Sequence, residues 1–211
     1  MAGCAMNKAV FSPILAFALA LAACGGPSAD QDDEGSLAGA RIGAPFTLTD
    51  QDGKPESWDS FKGKYRLVYF GYTYCPDVCP VDLQKIMAAY SKFEKQSPDK
   101  AAKVQPIFIT VDPERDTPPV LKQWTAAFGP RLIGLTGTPE QIAKVARDFV
   151  VVYGKDSEGT KDYLVNHSRT PYLFDADGKP LALIPVDDPG TPDVDEGSAD
   201  HILAALDRWV K

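Results

Sequence analysis

The run Tyr69-Phe70-Gly71-Tyr72-Thr73-Tyr74-Cys75-Pro76-Asp77-Val78-Cys79-Pro80 limits the fold more than any other stretch. Residues 65–70, rich in β-branched and aromatic side chains, lead into it as a strand. An apolar pattern of helical period (Leu83, Ile86, Met87, Tyr90, Phe93) leads out of it. A strand–turn–helix unit follows, with both thiols where the helix begins. A rise of about 1.5 Å per residue puts positions four apart on one helix face, close enough for two sulfurs to bond each other or share an ion. Backbone N–H groups and the dipole at a helix start favour thiolate, the form that both disulfide exchange and soft-metal ligation require. As a structural staple the pair is poor, because a bridge over so short a loop removes little entropy from the unfolded chain.

Cysteine usage points to export. Lys8 precedes an apolar run over 9–23, too short for a comfortable membrane span and right for a signal segment. It ends Leu21-Ala22-Ala23-Cys24-Gly25, which resembles the bacterial lipobox. That resemblance implies a signal peptide over 1–23, cleavage before Cys24 and lipid on Cys24. An ordinary secretory signal or an uncleaved anchor would export the domain equally. With Cys4 removed and Cys24 lipidated, only Cys75 and Cys79 of the four cysteines remain for chemistry. Outside the cytoplasm such a pair is oxidised by default, so its use as a ligand pair calls for a thiol reductant. Residues 24–41 are Gly, Pro, Ser, Ala and acidic residues without periodicity, a flexible tether. The formal net charge of −7 and the lack of a basic stripe argue against nucleic acid.

The remaining chain, 42–211, reads as one α/β domain. Two short strands around Asp52-Gly53 make an N-terminal hairpin. A buried strand over 104–111 ends in Asp112-Pro113-Glu114-Arg115-Asp116-Thr117-Pro118, where Thr117 and Pro118 start a helix. A strand over 132–135, a helix from Thr138-Pro139 to about Phe149, a hairpin pairing 150–153 with 163–165, a second hairpin across Asp177-Gly178 and a helix over 200–210 complete a sandwich with a central mixed sheet. Asp112 reads either as orienting a ligand or partner or as satisfying turn amides. Asp77 reads as a charge complement at the helix start or a partner contact.

Of the two histidines, His201 falls on the final helix as a surface residue and His167 in the loop Asn166-His167-Ser168-Arg169-Thr170-Pro171. Two thiolates and one imidazole form a soft, low-coordinate set that suits Cu(I) and can hold Cu(II), whereas zinc prefers a fourth ligand. The cysteine run, the 112–118 motif and Asn166-His167-Ser168 ahead of Tyr172-Leu173-Phe174-Asp175 together resemble the SCO/SenC family of thioredoxin-fold copper proteins, over essentially all of 42–211. The resemblance implies a thioredoxin-like sandwich with an inserted hairpin before the histidine, and copper bound by Cys75, Cys79 and His167. It also implies a role at the dinuclear copper site of cytochrome c oxidase, by copper delivery or thiol reduction, from the periplasmic side of a bacterial membrane. Its partners would then be the oxidase copper-site subunit, another periplasmic copper chaperone and the thiol reductant. Asn166 departs from the family, where many members carry an acidic residue. Thr170-Pro171 raises the cis-proline of thioredoxins, against a trans proline at a strand entry. Thiol–disulfide oxidoreductase and redox or copper sensor stay open; a peroxidase would want a threonine three residues before its cysteine, and Thr73 is two before Cys75.

Overall fold

The computed structural model describes Met1 and residues 35–157, 162–188, 191 and 195–211. Cys24, the expected lipidation site, nearly all of the expected leader and most of the expected tether lie outside the described residues. Among the described residues no helix is long and apolar enough to cross a membrane.

The domain opens with an antiparallel hairpin of β1 (Thr47–Asp50) and β2 (Pro55–Ser57). Asp50 closes its turn by accepting from the Asp52 and Lys54 N–H groups, and Gly53 takes the left-handed φ of 79° that the turn needs. β3 (Tyr65–Gly71), α1 (Val78–Gln96), the short α2 (Pro98–Ala101) and β4 (Val104–Thr110) form a parallel crossover unit, which α3 (Pro118–Ala126) extends to β5 (Ile133–Thr136). α4 (Pro139–Asp148), β6 (Tyr153–Lys155), β7 (Val165–His167), β8 (Tyr172–Phe174), β9 (Pro180–Leu183) and α5 (Ala199–Trp209) follow. The main sheet runs β2-β1-β5-β4-β3-β8-β9, parallel in its centre and antiparallel at both sides. This is the thioredoxin-like sandwich with a mixed sheet that the sequence predicts. β6 and β7 pair separately as a two-stranded arm.

Local chemistry explains the element ends. β3 and β4 are covered on both faces, so apolar side chains occupy both faces of each strand, interrupted by Arg66, Gln105 and Thr110. Thr138 caps α4 in a reciprocal box with Gln141. Thr117 has the extended cap backbone ahead of α3, but its hydroxyl makes no cap bond. Trp58, Phe46, Phe70, Phe149, Tyr172 and Phe174 build an aromatic core with ring centroids 5.1–6.4 Å apart.

Two places differ from the sequence reading. The arm is displaced along the chain, because α4 ends in a Schellman closure: Val150 N–H donates to Arg147 O and Val151 N–H to Ala146 O, with Val150 itself left-handed at φ 57°. The turn buries Phe149 and Val151 and delays pairing until Tyr153, so His167 is a residue of β7 rather than of a loop. Residues 35–40, expected as the end of the tether, lie against β9 instead, with Leu37 N–H on Leu181 O, Leu183 N–H on Ser36 Oγ and the Leu37 side chain buried. The described residues contain no cis peptide bond, so Thr170-Pro171 is trans.

Candidate metal centre

α1 begins at Val78, which puts Cys79 in its first turn and Cys75 in the loop before it. Asp77 occupies the cap position, yet its side chain makes no cap bond. The Cys79 N–H is directed instead at Cys75 Sγ, 3.4 Å away. Sulfur takes the place of the usual oxygen acceptor at the positive end of the helix, where a negative charge is stabilised. Cys79 is fully buried and Cys75 half-buried; neither is in a disulfide. β3 ends in glycine for a steric reason: a Cβ at Gly71 would stand 3.1 Å from Cys79 Sγ.

His167 comes in from the end of β7. Its Nε2 is 3.0 Å from Cys79 Sγ and its Nδ1 is 2.9 Å from the Ser168 carbonyl oxygen. A carbonyl only accepts, so Nδ1 carries the proton and Nε2 presents its lone pair to the sulfurs. The ligand atoms of Cys75, Cys79 and His167 lie within 4.8 Å of one another. Strand alternation sends the neighbouring Asn166 outward, to exposure. Tyr69 and Tyr72 meet the imidazole edge-on, at centroid distances of 6.4 and 5.9 Å.

The two sulfurs differ electrostatically. A hydrogen bond from the Cys79 thiol, with the backbone N–H groups of Cys79 and Asp77, brings Cys75 down to about 3 against its partial burial. Cys79 is pushed the other way by that same bond, since its proton is held towards Cys75, and by burial. The site thus holds an accessible thiolate above a buried thiol. Burial and the negative charge of Asp82, which accepts its hydrogen bond, also keep Tyr69 protonated.

Three buried carboxylates frame this constellation. Asp116 accepts from Thr73 N–H at 3.0 Å, Thr73 Oγ1 at 2.6 Å and Thr110 Oγ1, fastening the cysteine loop to the end of β4; burial raises its carboxyl above the ordinary range. Asp112 follows neither sequence expectation. Its carboxylate accepts from Tyr163 Oη at 2.6 Å and from Arg115 Nε, and Arg115 lies over the Tyr163 ring at 3.7 Å, so Asp112 ties the arm to the sheet. Asp82, three residues beyond Cys79, accepts from Tyr69 Oη at 2.9 Å and holds Arg169 with both oxygens, at 3.0 and 2.7 Å. Of these, the sequence reading singled out Asp112 alone. Asp82 sits one helical turn from Cys79 and Arg169 two residues from His167, and that double adjacency to candidate ligands was the available signal. His201 is exposed on α5, its Nδ1 2.9 Å from Asp195 O.

The chain matches the SCO1/SenC family model over residues 34–197. It is 47% identical over 142 residues to SCO1 homolog 1 of Arabidopsis thaliana mitochondria, covering 67% of this chain and 42% of that protein. The chain thus spans about half the length of the first curated relatives it matches. Among solved structures it resembles Arabidopsis thaliana ScoI with copper bound, at a TM-score of 0.69 and 38% identity, covering 79% of this chain and 97% of that one. It also resembles BsSco, described as a member of the Sco family of cytochrome c oxidase assembly proteins and as carrying a disulfide switch, at a TM-score of 0.58 and 28% identity, covering 78% and 91%. A family model that takes in both cysteines, the histidine and the sheet that brings them together leaves one conclusion: this chain belongs to the SCO1/SenC family.

Proposed function

We propose that this chain is an exported copper-binding protein, tethered to the periplasmic side of a bacterial membrane through lipid on Cys24, that helps assemble the dinuclear copper site of cytochrome c oxidase. The observation that carries the reading is the convergence of Cys75 Sγ, Cys79 Sγ and His167 Nε2 within 4.8 Å, with the imidazole lone pair turned towards the sulfurs. Two sulfurs and one neutral imidazole make a soft set with no carboxylate and no fourth ligand among the described residues, which suits copper better than zinc, calcium or magnesium. Here copper is cargo. Cys75 is the accessible sulfur through which it enters and leaves, while the buried Cys79 grips it from inside and the half-buried His167 from the side. The lipobox and the oxidase-assembly role of a family relative support the location and the recipient.

A second reading rests on the depressed, half-exposed Cys75 thiolate with Cys79 directly behind it. That pair can reduce a partner's disulfide: the Cys75 thiolate attacks, Cys79 gives up its proton and resolves the mixed disulfide, and two electrons and that proton pass to the partner as Cys75–Cys79 closes, the partner's second thiolate taking its proton from solvent. A separate thiol reductant then resets the pair. The test is copper titration of the reduced full-length chain beside its His167→Ala form. One copper per chain, sulfur-to-copper charge-transfer absorption and a loss of affinity in His167→Ala are expected. Equal affinity and equal spectra would refute the three-ligand site, and rapid turnover of a disulfide substrate by the metal-stripped chain would favour the second reading.

A further inference from the structure

We infer that Arg169, clamped by Asp82, is a positioning residue for His167. The contacts form a closed ring. Cys79 and Asp82 stand three apart on α1; Asp82 holds Arg169 Nε and Nη2 at 3.0 and 2.7 Å; Arg169 directly follows Ser168; the Ser168 carbonyl receives the His167 Nδ1 proton at 2.9 Å; and His167 Nε2 returns to Cys79 Sγ at 3.0 Å. One helix therefore supplies both a ligand and the anchor that fixes the backbone beside the other ligand. A two-toothed guanidinium–carboxylate pair fixes direction as well as distance, which a point charge does not. The same Asp82 oxygen that takes Arg169 Nε also takes Tyr69 Oη, and the Tyr69 ring abuts the imidazole edge, so the carboxylate restrains His167 from two sides. Arg169 Nη1 reaches Asp187 O at 3.3 Å, closing the outer flank. Asp82 is buried, while the Arg169 side chain keeps about a quarter of its surface in solvent.

The inference rests on the copper-binding reading and is separable from it. Groups that orient a metal-bound histidine typically change affinity by about 10–100-fold when removed. Arg169→Gln in the full-length chain is expected to weaken Cu(II) by about 10-fold, with altered charge-transfer absorption and electron paramagnetic resonance. Because Arg169 acts through the imidazole, the same change in a His167→Ala background should cost no further affinity. A purely structural ion pair would weaken both backgrounds alike. That outcome, or an Arg169→Gln chain with unchanged affinity and spectra, would overturn the inference. Failure of the parent chain to bind copper would instead overturn the function proposed above. If Arg169→Gln fails to fold, Asp82→Asn/Arg169→Gln removes the stranded charge and carries the same test.

Discussion

Replacing Gly71 by alanine puts a methyl group where three neighbours already stand. A Cβ on this backbone lies 3.0 Å from Phe108 Cε2, 3.1 Å from Cys79 Sγ and 3.2 Å from Tyr69 Cε1. Carbon contacts are comfortable at about 3.5–4.0 Å, so each neighbour must retreat by several tenths of an ångström. None is free to do so. Phe108 is fully buried with Trp124 at 4.6 Å, Tyr69 is tied to Asp82, and Cys79 Sγ is engaged with His167. Gly71 does not have a positive φ, so alanine adds no backbone strain and gains about 0.4–1 kcal/mol from a stiffer unfolded chain. Overpacking costs about 1–3 kcal/mol and outweighs that gain, leaving a net loss of about 1–2 kcal/mol. At a slope of about 2 kcal/mol per molar urea, the unfolding midpoint falls by about 0.5–1 M. Tryptophan fluorescence of the reduced chain in urea measures this, and Cu(II) charge-transfer absorption reports the displaced sulfur. An alanine variant with the parent midpoint and the parent spectrum would refute the claim that Gly71 exists to let Cys79 approach the strand.

Two further outcomes follow from the same geometry. Val150→Gly relieves a β-branched residue held at φ 57° on an exposed surface; it should stabilise the domain by about 1 kcal/mol and raise Tm by about 2–4 °C in calorimetry, and a lowered Tm would contradict the Schellman assignment. Cys75, held at about 3, is already thiolate throughout the neutral range, so its iodoacetamide alkylation in the reduced chain should be nearly flat from about pH 5 to 8 and fall only as acid protonates it near its own pKa. Peptide mass spectrometry follows the modification, and a rise of about tenfold per pH unit, as for an ordinary thiol, would rule the depressed value out.

The strand, turn and helix around the cysteines were legible in the sequence because their signals are local: period, β-branching and a thiol pair at fixed spacing. The mixed sheet was legible from the alternation of strands and helices, but the place of β3 and β4 at its parallel centre was not read from the sequence, although both strands are largely apolar. His167 was singled out beside the cysteines, and it does converge on them, but its setting was misjudged. Whether residues near 150 enter a strand depends on a valine in a left-handed position, against its own preference, and that conformation is imposed by the burial of Phe149 and Val151 on either side. The carboxylates Asp82 and Asp116 escaped notice for another reason. Both are charges placed inside the fold, where their partners are 87 and 43 residues away in sequence, and no local pattern encodes such a pairing. The place of 35–40 against β9 is likewise a long-range contact laid over an ordinary tether composition.

Depth orders the chemistry of the proposed site. A ligand or disulfide arriving from solvent meets Cys75 first, because Cys79 lies beneath the loop and against Gly71. The accessible sulfur is also the one that needs no deprotonation, while the proton of the pair stays on the buried sulfur beside two acceptors, the Cys75 thiolate and His167 Nε2. On the copper-binding reading, an arriving ion would meet the half-buried Cys75 and His167 before the buried Cys79, and would displace one proton from Cys79 as the second sulfur engages. Release would reverse that order, so an acceptor that competes for Cys75 would loosen the ion before Cys79 lets go. The framing carboxylates would set how stiff this grip is: Asp116 holds the cysteine loop, and Asp82 through Arg169 holds the backbone beside His167. The outer sulfur would thus exchange while the buried one keeps its place, which transfer without loss of the ion to solvent requires.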